Sequence, residues 1–251
     1  MDKAFAIIEA VVARQATGLS FSEVQTSTGF PKASTYRILK DLTRLGYLSF
    51  STETRKYRGS LRLAALGAEV MGNFDLRNHV HPHLLKLHEE TRHTSNMGIR
   101  NGDVGVFADK IQSEDYGIKL FSEVGKIFPL HCTGLGKTLL AYSAEREVER
   151  ILSRRLEAFT DRTITAAHLL KKELLQVRKD GYAVDREEIT RGIICVAAPV
   201  FGVKGEIVCA ISIAFPSYLN EDRGIEPEIE SIRRHAASIS GSLLSQTSLS
   251  S

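Results

Sequence analysis

The chain has 251 residues, enough for one large domain or two ordinary ones, and its 43% hydrophobic and 25% charged residues are those of a folded globular protein, which excludes collagen-like and low-complexity classes. No apolar run approaches the roughly 18 to 20 residues of a membrane span, and Cys132, Cys195 and Cys209 show no CxxC spacing, so neither a membrane protein nor a disulfide or zinc framework is expected, and a reducing cytoplasm is. The net charge of +3 is uneven: residues 1–60 hold nine Lys/Arg against five Asp/Glu, a net +4, while the remaining 191 carry −1, so a basic head that meets a polyanion is joined to a near-neutral body.

Phe5, Ile7, Ile8, Val11 and Val12 line one side of a first helix that ends before Gly18. Ser22 is positioned to cap a short second helix running to about Thr28, with Gly29 as its stop. A third helix follows Pro31. The spacing turns Tyr36, Leu39, Leu42 and Leu45 inward and leaves Ser34, Thr35, Arg37 and Lys40 outside near its start. Two helices joined by a glycine-containing turn, the second opening with small hydroxyl and basic residues, form a helix-turn-helix pattern. The major groove admits such a helix because its leading side chains are slim enough to approach base edges and basic enough to hold phosphates. Alone, the triplet reads better as a small helical domain. The next dozen residues shift the balance: Tyr47–Phe50 alternates like a strand, residues 51–54 turn, and Arg55-Lys56-Tyr57-Arg58 returns as a basic wing. Ser34, Thr35 and Arg37 are therefore base-reading candidates, with Tyr36 shared between the core and a phosphate, and Lys32, Lys40, Arg55 and Lys56 are phosphate anchors.

From Ser60 to about Asn73, Leu61, Leu63, Leu66, Val70 and Met71 make a helix more apolar than a solvated linker, a connector expected to pack on a second copy of itself. Asp75–Thr91 is a further helix, broken or started at Pro82. The body then alternates. Strands are expected at Asn96–Arg100, Val104–Ile111, Ile118–Glu123, Tyr182–Ile189, Gly192–Val200 and Glu206–Phe215, with Asn101-Gly102 as a hairpin turn. Helices are expected at Leu135–Tyr142, Glu145–Leu152, Ala166–Lys179 and Pro227 to about Leu244. The result is an α+β chain: a winged helix-turn-helix domain at 1–60, a connector helix at 61–75, an antiparallel sheet domain with flanking helices at 76–245, and a frayed serine-rich tail at 246–251.

Taken in order, Ser34-Thr35-Tyr36-Arg37, Leu45-Gly46-Tyr47-Leu48, the basic wing, Pro129 through Lys137, Gly181 through Glu188 and Gly192 through Val200 resemble the IclR family of bacterial transcriptional regulators along essentially the whole chain. The resemblance implies a GAF-like effector-binding body, a homodimer or homotetramer, and a palindromic operator in double-stranded DNA. By the same resemblance Asp185, Cys195 and Ser212 line a small-molecule pocket, Gly134 and Leu135 supply the facing loop, and Leu120 and Ile193 form apolar walls. Members that bind small oxo-acids tend to carry a second serine two residues after the first; that place is Ala214 here. A buried aspartate would repel an anion unless protonated or bridged, so the implied ligand bears hydroxyls as well as a carboxylate.

Several motifs lead nowhere. Gly136-Lys137-Thr138 suggests a phosphate loop, but the first glycine of that pattern would fall at His131. The glycine-flanked helix start either offers N–H groups to a carboxylate or merely makes the turn. His79, His81, His83, His88 and His93 cluster without a tight ligand pair and an acidic third ligand, and read as solvated surface residues, with neither metal nor cofactor expected. Pairing Cys195 with His131 as nucleophile and base lacks an orienting group, so no enzyme is expected. The readings are then an effector-controlled repressor, a DNA-binding protein whose body only assembles oligomers, and, last, an enzyme with a DNA-binding head.

Overall fold

The computed structural model describes residues 2–72, 75–116, 122–220 and 224–247. The chain divides into two compact units, Met1–Phe74 and Asp75–Ser251.

The first unit is built from α1 (Asp2–Val12), β1 (Leu19–Ser20), α2 (Phe21–Thr28), α3 (Lys32–Arg44), β2 (Leu48–Ser51), β3 (Lys56–Gly59) and α4 (Leu61–Gly72). Ile7 and Val11 of α1, Val24 of α2, Leu39 and Leu42 of α3 and Leu48 of β2 close one small apolar core, each helix contributing the inward residues of a helical stripe. β2 and β3 form the hairpin, and the two-residue β1 pairs on its far side to give the order β1-β3-β2. The cap of α2 is Ser20, two residues earlier than expected. Its hydroxyl accepts the Glu23 N–H while the Glu23 carboxylate accepts the Ser20 N–H at 2.7 Å, a reciprocal pair that starts the helix at Phe21 and leaves Ser22 inside it.

In α3 the inward stripe is Thr35, Leu39 and Leu42, so two assignments change places. Thr35 is fully buried, and Tyr36 is 59% exposed; Leu45 is exposed as well. A threonine can sit there because its hydroxyl donates back to the Pro31 carbonyl at 3.2 Å, leaving only the methyl for the core. Lys32, Arg37 and Lys40 are exposed and Ser34 half-buried. Arg55 lies in the turn rather than on the returning strand, which begins at Lys56. α4 shows no buried residue over Leu61–Val70, with Leu61 88% and Val70 70% exposed.

The second unit contains α5 (Asp75–Thr91), β4 (Thr94–Asn101), β5 (Val104–Ile111), β6 (Ile127–Pro129), α6 (Gly134–Ala141), α7 (Glu145–Leu152), α8 (Ala167–Asp180), β7 (Ala183–Arg186), β8 (Ile193–Phe201), β9 (Ile207–Pro216), a 3-10 turn at Ser217–Asn220 and α9 (Glu226–Thr247). The six strands pair antiparallel in the order β6-β5-β4-β9-β8-β7. One face is largely apolar: Met97, Val196, Ile211, Ile213 and Phe215 are buried, as are Val80, Leu84 and Leu87 of α5 and Ile232 and Ile239 of α9, the two helices packed on β4, β8 and β9. α6 covers the other face and is itself backed by α8 and α7. α5 runs unbroken through Pro82, correcting the expected break; Pro82 is exposed, and the buried residues on either side of it hold both halves to the sheet. The three-residue β6 has no counterpart among the expected strands, and most of the expected strand Ile118–Glu123 lies outside the described residues, as do residues 248–251 of the tail.

α6 lies close because it begins with glycines. A Cβ on Gly136 would stand 2.6 Å from the Leu130 Cα and the Pro129 carbonyl, both backbone atoms that cannot step aside. Gly136→Ala is expected to lower stability in urea unfolding by about 1 to 3 kcal/mol, whereas Gly241→Ala in α9, where the added methyl meets open space, is expected to gain about 0.5 to 1 kcal/mol.

Candidate effector site and nucleic-acid interface

The sheet register decides which side chains share the α6 face. Asp185, Cys195 and Ala214 are successive cross-strand partners on β7, β8 and β9, and the neighbouring row runs Ala183, Ala197, Ser212 and Asn96. Because residues two apart on a strand point the same way, both rows face α6. Gly134 stands directly over them: a Cβ there would meet the Cys195 carbonyl and thiol, each at 3.1 Å, and Ala197. Asp185, Cys195, Ser212 and Gly134 therefore come together, with Leu135 beside them near Gly98. Ile193 is buried on β8, two residues before Cys195, and Leu120 lies outside the described residues.

Burial pushes the Asp185 carboxyl up to about 7; the N–H of Glu188, 2.7 Å from Oδ1, works against that rise, the Glu188 carboxylate adds to it, and the Lys137 ammonium opposes it. Burial likewise pushes the Cys195 thiol up to about 12, aided by Asp185 and partly offset by Ser212 and by the Gly134 N–H. A thiol that stays protonated at neutral pH is no nucleophile, and the His131 ring is engaged elsewhere, 2.8 Å from the Glu157 carbonyl. What the site offers is a set of neutral hydrogen-bonding groups under a helix N-terminus whose cap, Thr133, takes the Gly136 N–H at 2.9 Å.

Sequence reasoning passed over two groups. Lys137 is fully buried, and its Nζ donates to the Val184 carbonyl at 2.6 Å, to Glu188 Oε1 at 2.5 Å and to Glu173 Oε1 at 3.0 Å, tying α6 to β7 and α8. Its place in a failed phosphate-loop motif drew attention to the glycines instead. The other is Asn96, buried on β4 opposite Ser212; nothing in its local sequence distinguishes it.

The five histidines are not the solvated set expected. His79 pairs with Ser242 Oγ at 2.8 Å, His81 Nδ1 with Asp109 Oδ2 at 2.5 Å, and His88 with the His93 carbonyl at 2.8 Å. His93 is buried between Tyr116 and Glu228 and stacks on Phe215, while His83, half-buried, has its basicity lowered by burial and by His79. Among the described residues no group of His, Cys, Asp or Glu is arranged to hold a metal ion, and no helix is long and apolar enough to cross a membrane.

In the first unit, Lys32, Tyr36, Arg37 and Lys40 share the exposed side of α3, no side chain caps the helix N-terminus at Pro31, and Lys56 stands on the hairpin beside Arg55 in its turn. Thr35, with its hydroxyl committed to Pro31, does not join them.

Residues 68–241 match the family described as bacterial transcriptional regulator IclR C-terminal, and residues 1–51 match the IclR helix-turn-helix domain. The chain is 32% identical over 242 residues to the HTH-type transcriptional regulator KdgR of Escherichia coli, covering 96% of this chain and 91% of that one. It is 32% identical over 226 residues to the HTH-type transcriptional repressor AllR of Escherichia coli, with 89% and 83% covered. Among solved structures, the Thermotoga maritima IclR superposes with a TM-score of 0.72 at 30% identity, covering 97% of this chain and 98% of that one.

Asp185 makes stability depend on pH. Its carboxyl ordinarily titrates at 3.8; between there and about 7 the folded chain holds a proton that the unfolded chain has released, so stability falls as pH rises through that window and levels off above it. Thermal unfolding of Asp185→Asn is expected to match the unsubstituted protein near pH 4 and to exceed it increasingly up to pH 7 to 8, by an amount on the order of a few kcal/mol. Parallel curves across that range would show that Asp185 ionises freely.

Proposed function

Because the chain belongs to the IclR family of bacterial transcriptional regulators, we propose that it is a cytoplasmic repressor whose grip on its operator is set by a small hydroxylated carboxylic acid bound beneath the N-terminus of α6. The observation that carries the effector half is the meeting of Asp185, Cys195, Ser212 and the Gly134 N–H at one buried place. A carboxylate seated there faces the first turn of α6, Ile193 and Leu135 give it apolar walls, and a protonated Asp185 donates to it where an ionised one would repel it. Binding of such an acid therefore weakens as pH rises past about 7. The repressor half rests on the likeness to AllR.

On DNA, Ser34 and Arg37 read base edges, Tyr36 reaches a phosphate from its exposed position, and Lys32, Lys40, Arg55 and Lys56 anchor the backbone, with the uncapped first turn of α3 adding N–H groups. Leu61, Leu66 and Val70 leave α4 with an apolar surface in the single chain, which a second copy of α4 covers, and a twofold assembly reads a palindrome whose half-sites are about 34 to 36 Å apart. A dimer meets that requirement, and a tetramer joins two such pairs.

Two measurements check this reading. In DNA titrations, Arg37→Ala is expected to relax preference at one base pair by about 1 to 3 kcal/mol, while Lys56→Ala weakens all sequences alike and lowers the salt slope by about one. In a thermal-shift screen of sugar acids, oxo-acids and aromatic acids, a ligand at 100 times its Kd is expected to stabilise the fold by about 2.7 kcal/mol, an effect lost in Ser212→Ala. A protein that binds its own upstream DNA yet responds to no acid would leave the body an assembly module.

A further inference from the structure

β7 is an outer strand of the sheet, paired on one side only. A cavity of about 550 Å³, a volume ordinary for small-molecule pockets, is lined by its residues and by α8. Glu173 and Asp180 of α8, Arg162, Arg186 and Glu188 give it its charge, while Gly134, Asp185, Cys195 and Ser212 take no part in the lining, which sets it apart from the proposed effector site. The charges on its wall do not cancel. All three protons of the Lys137 ammonium have acceptors, Glu188 Oε1 at 2.5 Å, the Val184 carbonyl at 2.6 Å and Glu173 Oε1 at 3.0 Å, so none is left for the second oxygen of either carboxylate. Two carboxylates thus share one cation. Glu188 bears the consequence: its side chain is only 5% exposed, yet Oε2 has no hydrogen-bond partner among the described residues. The neighbouring guanidinium groups do not supply one, since Arg162 is given to Glu187 at 2.7 Å and Arg186 is exposed and makes no ion pair among the described residues. A buried carboxylate oxygen left without a donor destabilises the fold that holds it.

We infer that this cavity is a second ligand site, one for a small primary amine whose ammonium donates to Glu188 Oε2 and is held in common with Glu173. An ammonium supplies both things the wall lacks, an N–H for the buried oxygen and a positive charge for the shared pair of carboxylates. A hydroxyl supplies only the first and a quaternary ammonium only the second. A divalent metal ion asks for several oxygen ligands at once, and among the described residues no group of His, Cys, Asp or Glu is arranged to hold one. Asp180, bonded to the neutral Gln176 amide at 2.8 and 2.9 Å, keeps its own charge in the same lining and suits the far end of a diamine.

The test is isothermal titration of the full chain at neutral pH with putrescine, beside 1,4-butanediol, which lacks the charge, and tetramethylammonium, which lacks the N–H. The chain carries a net charge of +3, so a dication is not drawn to it by charge alone. Putrescine is expected to bind, and the other two to bind at least about tenfold more weakly. Glu188→Gln is expected to lower putrescine affinity by about tenfold or more, whereas Glu149→Gln, an equal change of charge in an exposed pair on α7, leaves it unaltered. Glu173→Gln, at a side chain 32% exposed, is expected to weaken putrescine by about threefold or more and serves if the Glu188 variant does not fold. A protein that takes no putrescine, one that takes 1,4-butanediol or tetramethylammonium as tightly, or full putrescine affinity in whichever of the Glu188 and Glu173 variants folds would overturn the inference. None of these results bears on the effector site proposed beneath α6.

Discussion

The effector unit depends on the ammonium of Lys137. It is fully buried, and its three short contacts run to the Val184 carbonyl on β7, to Glu188 just after β7, and to Glu173 on α8. A buried charge is tolerated only with such complete partnership, and removing either side leaves the other uncompensated at a cost of about 3 to 5 kcal/mol. The arrangement fixes α6 along the sheet, and with it the first turn whose Gly134 touches Cys195. Val184 immediately precedes Asp185, so the lysine holds together the helix start above and the strand carrying the titrating carboxyl below.

That geometry gives the chemistry its character. The sheet's α5–α9 face is mostly apolar, with Asp109 held by Arg77 and His81 of α5, and the α6 face carries Asn96, Asp185, Cys195 and Ser212. Burial holds the Cys195 thiol protonated, and the His131 ring meets the Glu157 carbonyl, so these groups present donors and acceptors at fixed places on that face. A ligand bound there influences DNA only through its preference for one arrangement of the molecule over another. α4, the last helix of the DNA-binding unit, exposes Leu61, Leu66 and Val70.

Much of this was legible in the sequence. The helix-turn-helix and its wing followed from apolar spacing, glycine stops and the run of cations after Ser51, because those signals are local. Errors arose where two local solutions were equally good and tertiary packing chose. Positions 35 and 36 both complete a stripe with Leu39 and Leu42, and only the back-bond from Thr35 to Pro31 favours the threonine. Ser20 and Ser22 both stand at the start of the same helix, and Glu23 completes a capping box only with Ser20. β1 and β6 are two and three residues long and exist through their partners alone. Among the candidate effector-site residues, Asp185, Cys195 and Ser212 came from resemblance, whereas the places of Lys137 and Asn96 are set across the fold: by partners 36 to 51 positions away for the lysine, and by a strand register for the asparagine.

The central claim is that occupancy of the α6 pocket changes the hold on DNA. Fluorescence anisotropy of the full chain on its own upstream DNA, with and without a saturating concentration of an acid shown to bind the second unit, tests it most directly. The account predicts a change in operator affinity of at least about fivefold, the lower end of ordinary coupling between sites, and no change in Ser212→Ala at the same acid concentration. An acid that binds the second unit and leaves operator affinity unaltered would contradict it.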